Sequence, residues 1–290
     1  MPNTLEKSQK YLDLILELYR KGSLTAPLDT QSVQFDPVDA NVVKILRVNT
    51  TAMGNYVRDT GYPQGSVTTQ WDSYTLAVDR GVKFMLDRLD EEEILAMTIG
   101  RAADEFTRDK MIPELDAYRF AKYYGGAGTK IAATLNENNI LEAIDTAAVL
   151  MNNNEVPDDG SRQLFVNQNL ELAIRKALNR VFANDSAINT RVMSYNGMNI
   201  VYVPASRFKT MIALNDGTGG EWGYTGGGNA INFILLDPKA VWQVTRAARG
   251  KFITADQNQN LDSHEFHFRI CHDAGTITGK TIGVYANTAA

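Results

Sequence analysis

The histidines offer the first chemistry to weigh. All three in the chain, His264, His267 and His272, fall in one short stretch, and clustered imidazoles are favourable zinc ligands. The stretch from Glu265 to Cys271 reads as a strand, where side chains alternate faces, so His264 and His272 share one face while His267 points to the other. No carboxylate or cysteine stands at a spacing that completes the set, so no metal is expected. Cys271 and His272 are adjacent and point apart, which removes a cysteine–histidine nucleophile. No serine occupies a Gly-x-Ser-x-Gly elbow. Gly279-Lys280-Thr281 ends like a phosphate loop, but position 274 is alanine and Gly275 leaves the loop one residue short. Thr281 to Tyr285 reads as a strand, so no helix N-terminus follows to hold phosphate, and a hairpin turn is the reading.

Asn215 to Asn229 holds seven glycines around Trp222 and Tyr224. Glycine lets a backbone approach a phosphate closely, yet no strand-to-helix context follows, so a flexible loop that changes conformation between neighbouring copies is expected. An enzyme using this loop or the histidine strand is the competing function class, and it lacks converging polar residues. Asp158-Asp159 and Glu91-Glu92 sit in loop and helix-start settings, where solvated surface is the default. No catalytic residue, cofactor or metal is therefore assigned.

The elements that would position any chemistry follow an ordered pattern. Leu5, Leu12, Ile15, Leu16 and Tyr19 lie at helical spacing before Gly22-Ser23, and Leu24 to Asn41, with its two prolines, is expected to run extended over some other surface. Ile45 to Leu89 reads as a long hairpin whose tip, rich in Thr, Gly, Asn and Gln, buries little within its own subunit. Asp90 to Glu93 provides an N-cap and an acidic first turn for a long helix striped by Leu95, Ile99, Ala102 and Phe106. Pro113 is tolerated at the start of a second helical piece, and Gly125-Gly126-Ala127-Gly128 ends the unit. Beyond it come a helix from Ile140 to Met151, a strand at Gln163 to Val166, and a helix striped by Leu170, Ile174, Ala177 and Val181. An Asn196-Gly197 type I′ turn precedes the strand Ile200 to Val203. A buried strand, Ile231 to Leu236, stops at Asp237-Pro238, and the last forty residues read as strands only.

Composition narrows the function classes. With 290 residues, 44% of them hydrophobic, the chain can bury roughly three quarters of its unfolded surface and needs no staple. The single cysteine, Cys271, excludes an internal disulfide and suits a reducing compartment. No apolar run reaches membrane-spanning length, and the polar start lacks a secretory pattern, so synthesis in the cytoplasm is expected. A net charge of −5, with scattered lysines and arginines, argues against phosphate-driven nucleic-acid binding but suits the wall of a container.

The order of these elements resembles the major capsid proteins of tailed bacteriophages with the Hong-Kong-ninety-seven-type fold, and more closely the scaffold-assisted versions from phages of Gram-positive bacteria. The stretches that carry the resemblance are Tyr74 to Glu93, Ile112 to Arg119, Ile200 to Phe208, Arg269 to Asp273 and Lys280 to Tyr285. It implies an α+β chain with an N-terminal arm (1–47), an extended hairpin loop (48–83), a peripheral domain with a spine helix (84–126), an axial domain (127–249), and peripheral strands with a C-terminal strand (250–290). Implied partners are further copies of the chain in pentamers and hexamers, a separate scaffolding protein, a portal protein and a decoration protein. Only about forty-seven residues precede the hairpin, too few for a fused scaffold domain. The shell would enclose DNA without reading its sequence, form in the host bacterial cytoplasm and end as the virion capsid; an encapsulin-like bacterial compartment shell is the alternative. Arg58, Tyr62, Trp71, Arg80, Asn258, Asn260 and Trp222 are the expected subunit-interface residues.

Some relatives weld neighbours through an isopeptide bond between a hairpin lysine and an asparagine of the peripheral domain. Here Val48 to Val82 holds Arg58 and Arg80 but no lysine, Lys44 and Lys83 stand at the hairpin base, and Asn258 and Asn260 lie near the acceptor position. Arginine is too firmly protonated to replace the lysine, so a shell without covalent welds is expected.

Overall fold

The computed structural model describes residues 17–18, 21–29, 35–39, 42–87, 98–178 and 192–290. The expected arm helix before Glu17, the acidic start at Asp90 to Glu93, Leu95 and Val181 lie outside them. In chain order come β1 (Phe35–Asp39), β2 (Val42–Thr50), β3 (Val67–Thr75), β4 (Val78–Asp87), α1 (Thr98–Phe106), α2 (Ile112–Gly125) and β5 (Thr129–Ala132). Then follow α3 (Ile140–Asn153), β6 (Gln163–Asn167), α4 (Glu171–Ala177), β7 (Ser194–Tyr195), β8 (Met198–Val203), β9 (Lys209–Leu214) and β10 (Tyr224–Leu236). The last are β11 (Val241–Ile253), β12 (Ser263–Thr276) and β13 (Val284–Thr288).

The largest sheet runs β5-β13-β10-β6-β8-β7, with β9 also pairing β10. It is buried on both faces, which explains the unbroken apolar runs of its central strands. Phe165, Ile234 and Leu236 pack with Phe120 and Tyr123 of α2 on one side. Leu164, Val166, Phe233 and Leu235 pack with Ile140, Ile144 and Ile174 of α3 and α4 on the other. Neighbouring residues of one strand thus serve different cores, as the two-residue period requires. Asn196 and Gly197 form the expected turn, both with positive φ (48° and 77°).

A second sheet, β11-β12-β4, packs Phe266, Phe268 and Ile270 against Met111, Ile112 and Leu115. Pro113 does not interrupt the helical run: a π-turn at Thr107–Met111 joins α1 to α2, and the proline sits in the first turn of α2, where its missing N–H costs nothing. The third sheet, β1-β2-β3, contains the hairpin β2–β3, with β1 paired along the base of β2. The hairpin closes at Thr75, because β4 pairs with β12 from Val78↔His272 to Asp87↔Ser263. Val78 to Lys83 are therefore part of the body and not of the extended loop.

The segment after Gly22 also differs from expectation. Ser23 to Asp29 docks on its own subunit through a buried polar network. Asp116 on α2 accepts hydrogen bonds from Ser23 Oγ (2.6 Å), Thr25 Oγ1 (2.8 Å) and the Leu24 amide (3.1 Å). Arg119, one turn on, donates to Thr25 Oγ1 (3.0 Å) and to Thr245 Oγ1 on β11 (2.6 Å). Gln243 donates to the Thr25 carbonyl (2.5 Å) and Asp29 (2.7 Å), and accepts from the Tyr123 hydroxyl (2.5 Å). Leu28 completes the docking by entering the main core.

Replacing Asp116 by alanine strips four donors and the nearby Arg207 guanidinium (3.5 Å) of their acceptor. Removing one partner from a buried ionic network costs about 3–5 kcal/mol. Urea unfolding of Asp116→Ala should show a loss of that order, and a loss under about 1 kcal/mol would contradict the role given to this carboxylate.

Candidate assembly surfaces

The hairpin is the part of the chain with least support from its own core. At its base, Val43 and Ile45 pack with Leu76, Trp242, Cys271 and Ile277. Beyond Ile45 that contact ends. β2 and β3 remain paired out to Thr50↔Val67, and nine-residue strands at ~3.3 Å per residue reach about 30 Å. The outer part carries Leu46, Val48, Met53, Tyr56, Val57, Tyr62, Val67 and Trp71, all exposed, Tyr62 at 89% and Met53 fully. Apolar surface gathered on one projecting element marks an interaction site.

The tip is ordered by its own contacts. Thr51 and Ser66 exchange hydrogen bonds (3.1 and 3.0 Å), and Val57 and Gly61 form a second small bridge around Arg58-Asp59-Thr60. Gly61 takes a positive φ of 78°, which turns the chain there. The Tyr56 and Tyr62 rings then meet edge to face at 5.0 Å, a favoured aromatic geometry. Of the expected interface residues, Arg58, Tyr62 and Trp71 lie together on this hairpin. Met53, Tyr56, Val57 and Val67 belong with them and were not selected from sequence, because they lie singly in a polar stretch without periodicity.

Trp222 lies elsewhere, at the end of a second hairpin. The glycine-rich segment is only partly a loop: Tyr224 to Gly227 pair in register with Leu214 to Met211, so the expected flexible loop shrinks to 215–223. Within that turn Gly217, Gly219, Gly220 and Gly223 all have positive φ, and Trp222 packs over Gly217 while staying 70% exposed. Arg80 does not join the first hairpin's surface. Its guanidinium is spent inside the subunit, on Glu114 of α2 and on the carbonyls of Asn215 and Gly223.

Asn258 and Asn260 lie in the turn between β11 and β12. Asn258 Oδ1 accepts from the Asn260 backbone amide (3.2 Å), and Asn258 Nδ2 donates to Ser263 and to Glu265 Oε1 (3.2 Å). Lys83 Nζ reaches the same Glu265 oxygen at 2.8 Å. An amine, a side-chain amide and a carboxylate thus converge within one subunit. Amide transfer would need an uncharged amine and a carboxyl able to protonate departing ammonia. The environment opposes the second: hydrogen bonds from Lys83 and then His267 hold the Glu265 carboxyl below its usual range. Peptide mapping should find Lys83 and Asn258 unlinked, and assembled protein should run as one band near 32.1 kDa in denaturing gels. A covalent ladder or a fused peptide would contradict this electrostatic argument.

The histidines separate as strand geometry requires. His264 stacks on Phe252, His267 bonds Glu265, and His272 is buried edge-on to Tyr118 at 5.4 Å. Among the described residues no group of three potential ligands could hold a metal ion. Cys271 faces the Val43–Trp242 cluster, away from His272. The Gly279-Lys280-Thr281 segment is not a hairpin turn, since β12 and β13 belong to different sheets. It crosses between them through a short 3₁₀ turn, Thr281–Gly283, with the Gly128 amide donating to Thr281 O at 2.9 Å.

Burial, then the charges of Arg119 and Arg80, push the His272 imidazole down to about 3 from 6.5. The unfolded chain takes up this proton near 6.5 and the folded chain only near 3, so the contribution is complete above 6.5 and is lost as pH falls through that window. His272→Phe should flatten the acid side of the stability profile; an unchanged slope would contradict a buried neutral imidazole.

Solved structures of similar shape include phage capsids and a virus-like particle. The bacteriophage PhiM1 mature capsid matches with a TM-score of 0.64 and 15% identity, over 91% of this chain and 84% of that one. The capsid of the cyanophage P-SCSP1u gives 0.61 and 13%, over 87% and 84%. A virus-like particle from Pyrococcus furiosus gives 0.56 and 10%, over 98% and 100%. No protein-family model and no curated protein matches the sequence.

Proposed function

The chain has the Hong-Kong-ninety-seven-type capsid fold, and from that premise we propose that it is the major capsid protein of a tailed phage, which closes with copies of itself into pentamers and hexamers around a genome. The observation that carries the proposal is the hairpin 42–75, which projects apolar and aromatic side chains beyond the reach of its own core. A two-stranded ribbon of this kind is marginal alone and is stabilised when laid on a second copy. The turn at Trp222 is placed by this reading near the capsomer axis. Scaffold, portal and decoration proteins are partners within the same proposal, and the virion is its final location.

A bacterial compartment shell is the second reading, favoured by the end-to-end match to the Pyrococcus particle. The contents separate the two: a phage head encloses DNA, whereas a compartment encloses protein cargo.

The test is direct. The full chain, produced with and without the proteins encoded beside it, should give capsomers, tubes or shells in negative-stain microscopy. Met53→Ser/Tyr56→Ser/Tyr62→Ser should keep the melting temperature within a few degrees, because these side chains touch no core, and should abolish the particles. A wild-type chain that stays monomeric under all these conditions would overturn the proposal.

A further inference from the structure

Arg80 joins three elements that otherwise touch little. It stands on β4, five residues past Thr75, where the hairpin's backbone ladder ends, and three past Ala77, whose amide donates to Asp273 Oδ2 (3.0 Å). Its Nε and one Nη donate to the two oxygens of Glu114 on α2 (2.8 and 3.1 Å). That same Nη also donates to the Gly223 carbonyl (3.1 Å), and the other Nη donates to the Asn215 carbonyl (2.5 Å). Four of the five guanidinium N–H groups are thereby used on two carbonyls and one bidentate carboxylate, a geometry that an ammonium cannot reproduce. Asn215 and Gly223 are the neck of the turn carrying Trp222, which is closed by a single backbone bond between them (2.9 Å). The pair is largely shielded, with 24% of the Arg80 and 15% of the Glu114 side chain exposed.

We propose that Arg80 is a positioning residue that fixes the angle of the 215–223 turn against the body, and so sets the curvature at which copies close. The proposal rests on the shell reading. The turn is tied within itself, by the Gly217 amide on the Glu221 carbonyl (3.0 Å) and the Thr218 amide on Asp216 Oδ1 (2.9 Å), so it moves as a unit and its direction is decided at the neck. Because Arg80 continues the strand that leaves the first hairpin, a shift of that hairpin on a neighbour is carried to the neck through one rigid group.

Two measurements on the full chain decide it. Hydrogen–deuterium exchange of unassembled Arg80→Ala should show the amides of 215–224 exchanging at least about tenfold faster than wild type, with α3 and β6 unchanged; Arg80→Lys, which keeps charge and fold, should show the same loosening. Exchange at the wild-type rate in both variants would overturn the latch. Electron microscopy of particles should then show a widened diameter distribution, or tubes and sheets, for both variants and for Glu114→Gln. Uniform wild-type-sized particles from a loosened variant would overturn the link to curvature while sparing the shell reading. If wild type forms no particles, the shell reading fails, and this inference fails with it.

Discussion

A buried carboxylate and a buried guanidinium one turn apart on a single helix, Asp116 and Arg119 of α2, hold the subunit together. Both are fully excluded from solvent, and an ion in that position is tolerated only when its partners are complete. The partners come from the segment at Ser23–Asp29, from β11 and from Arg207, so the network is whole only when all of these are in place. The same helix presents Glu114 to Arg80 and Tyr118 to Asp273, which in turn holds the bend between β3 and β4. One helix therefore fixes both sheets of the body and the roots of both hairpins.

The consequence is a division of the chain by where its apolar surface goes. Residues on the central sheet and α2–α4 satisfy one another inside the subunit. The outer hairpin does not: past Ile45 its aromatic and aliphatic side chains meet water. Apolar area contributes ~25 cal/mol per Å² when removed from water, and only another surface can remove it here. The structure places a rigid root under an unsatisfied ribbon, and the proposed assembly rests on that arrangement.

Much of this was legible in the sequence wherever a local rule operates. The run Ile231 to Leu236 announces a strand buried on both faces, and Asn196-Gly197 announces its turn. The long hairpin is visible in alternating Val, Thr and Tyr. The docking of Ser23 and Thr25 on Asp116 was not legible, because those residues lie 93 and 91 positions apart and small hydroxyl residues in a coil carry no periodicity. The contacts of Arg80 within the subunit were not legible for a related reason: two of its acceptors are backbone carbonyls, which have no signature in a side-chain alphabet. The glycine-rich segment looked wholly like a loop because glycine is a poor strand former, yet pairing with Lys209–Leu214 overrides that preference.

In the proposed shell the hairpin finds its missing partner on another copy of the chain. A photo-crosslinking residue placed at Tyr62, which is 89% exposed, reports on what the tip touches. In assembled protein the account predicts adducts at twice the mass of the chain, near 64 kDa from 32.1 kDa each, mapping to a second copy and absent from dissociated subunits. Adducts formed only within one chain, or none in assembled particles, would contradict it.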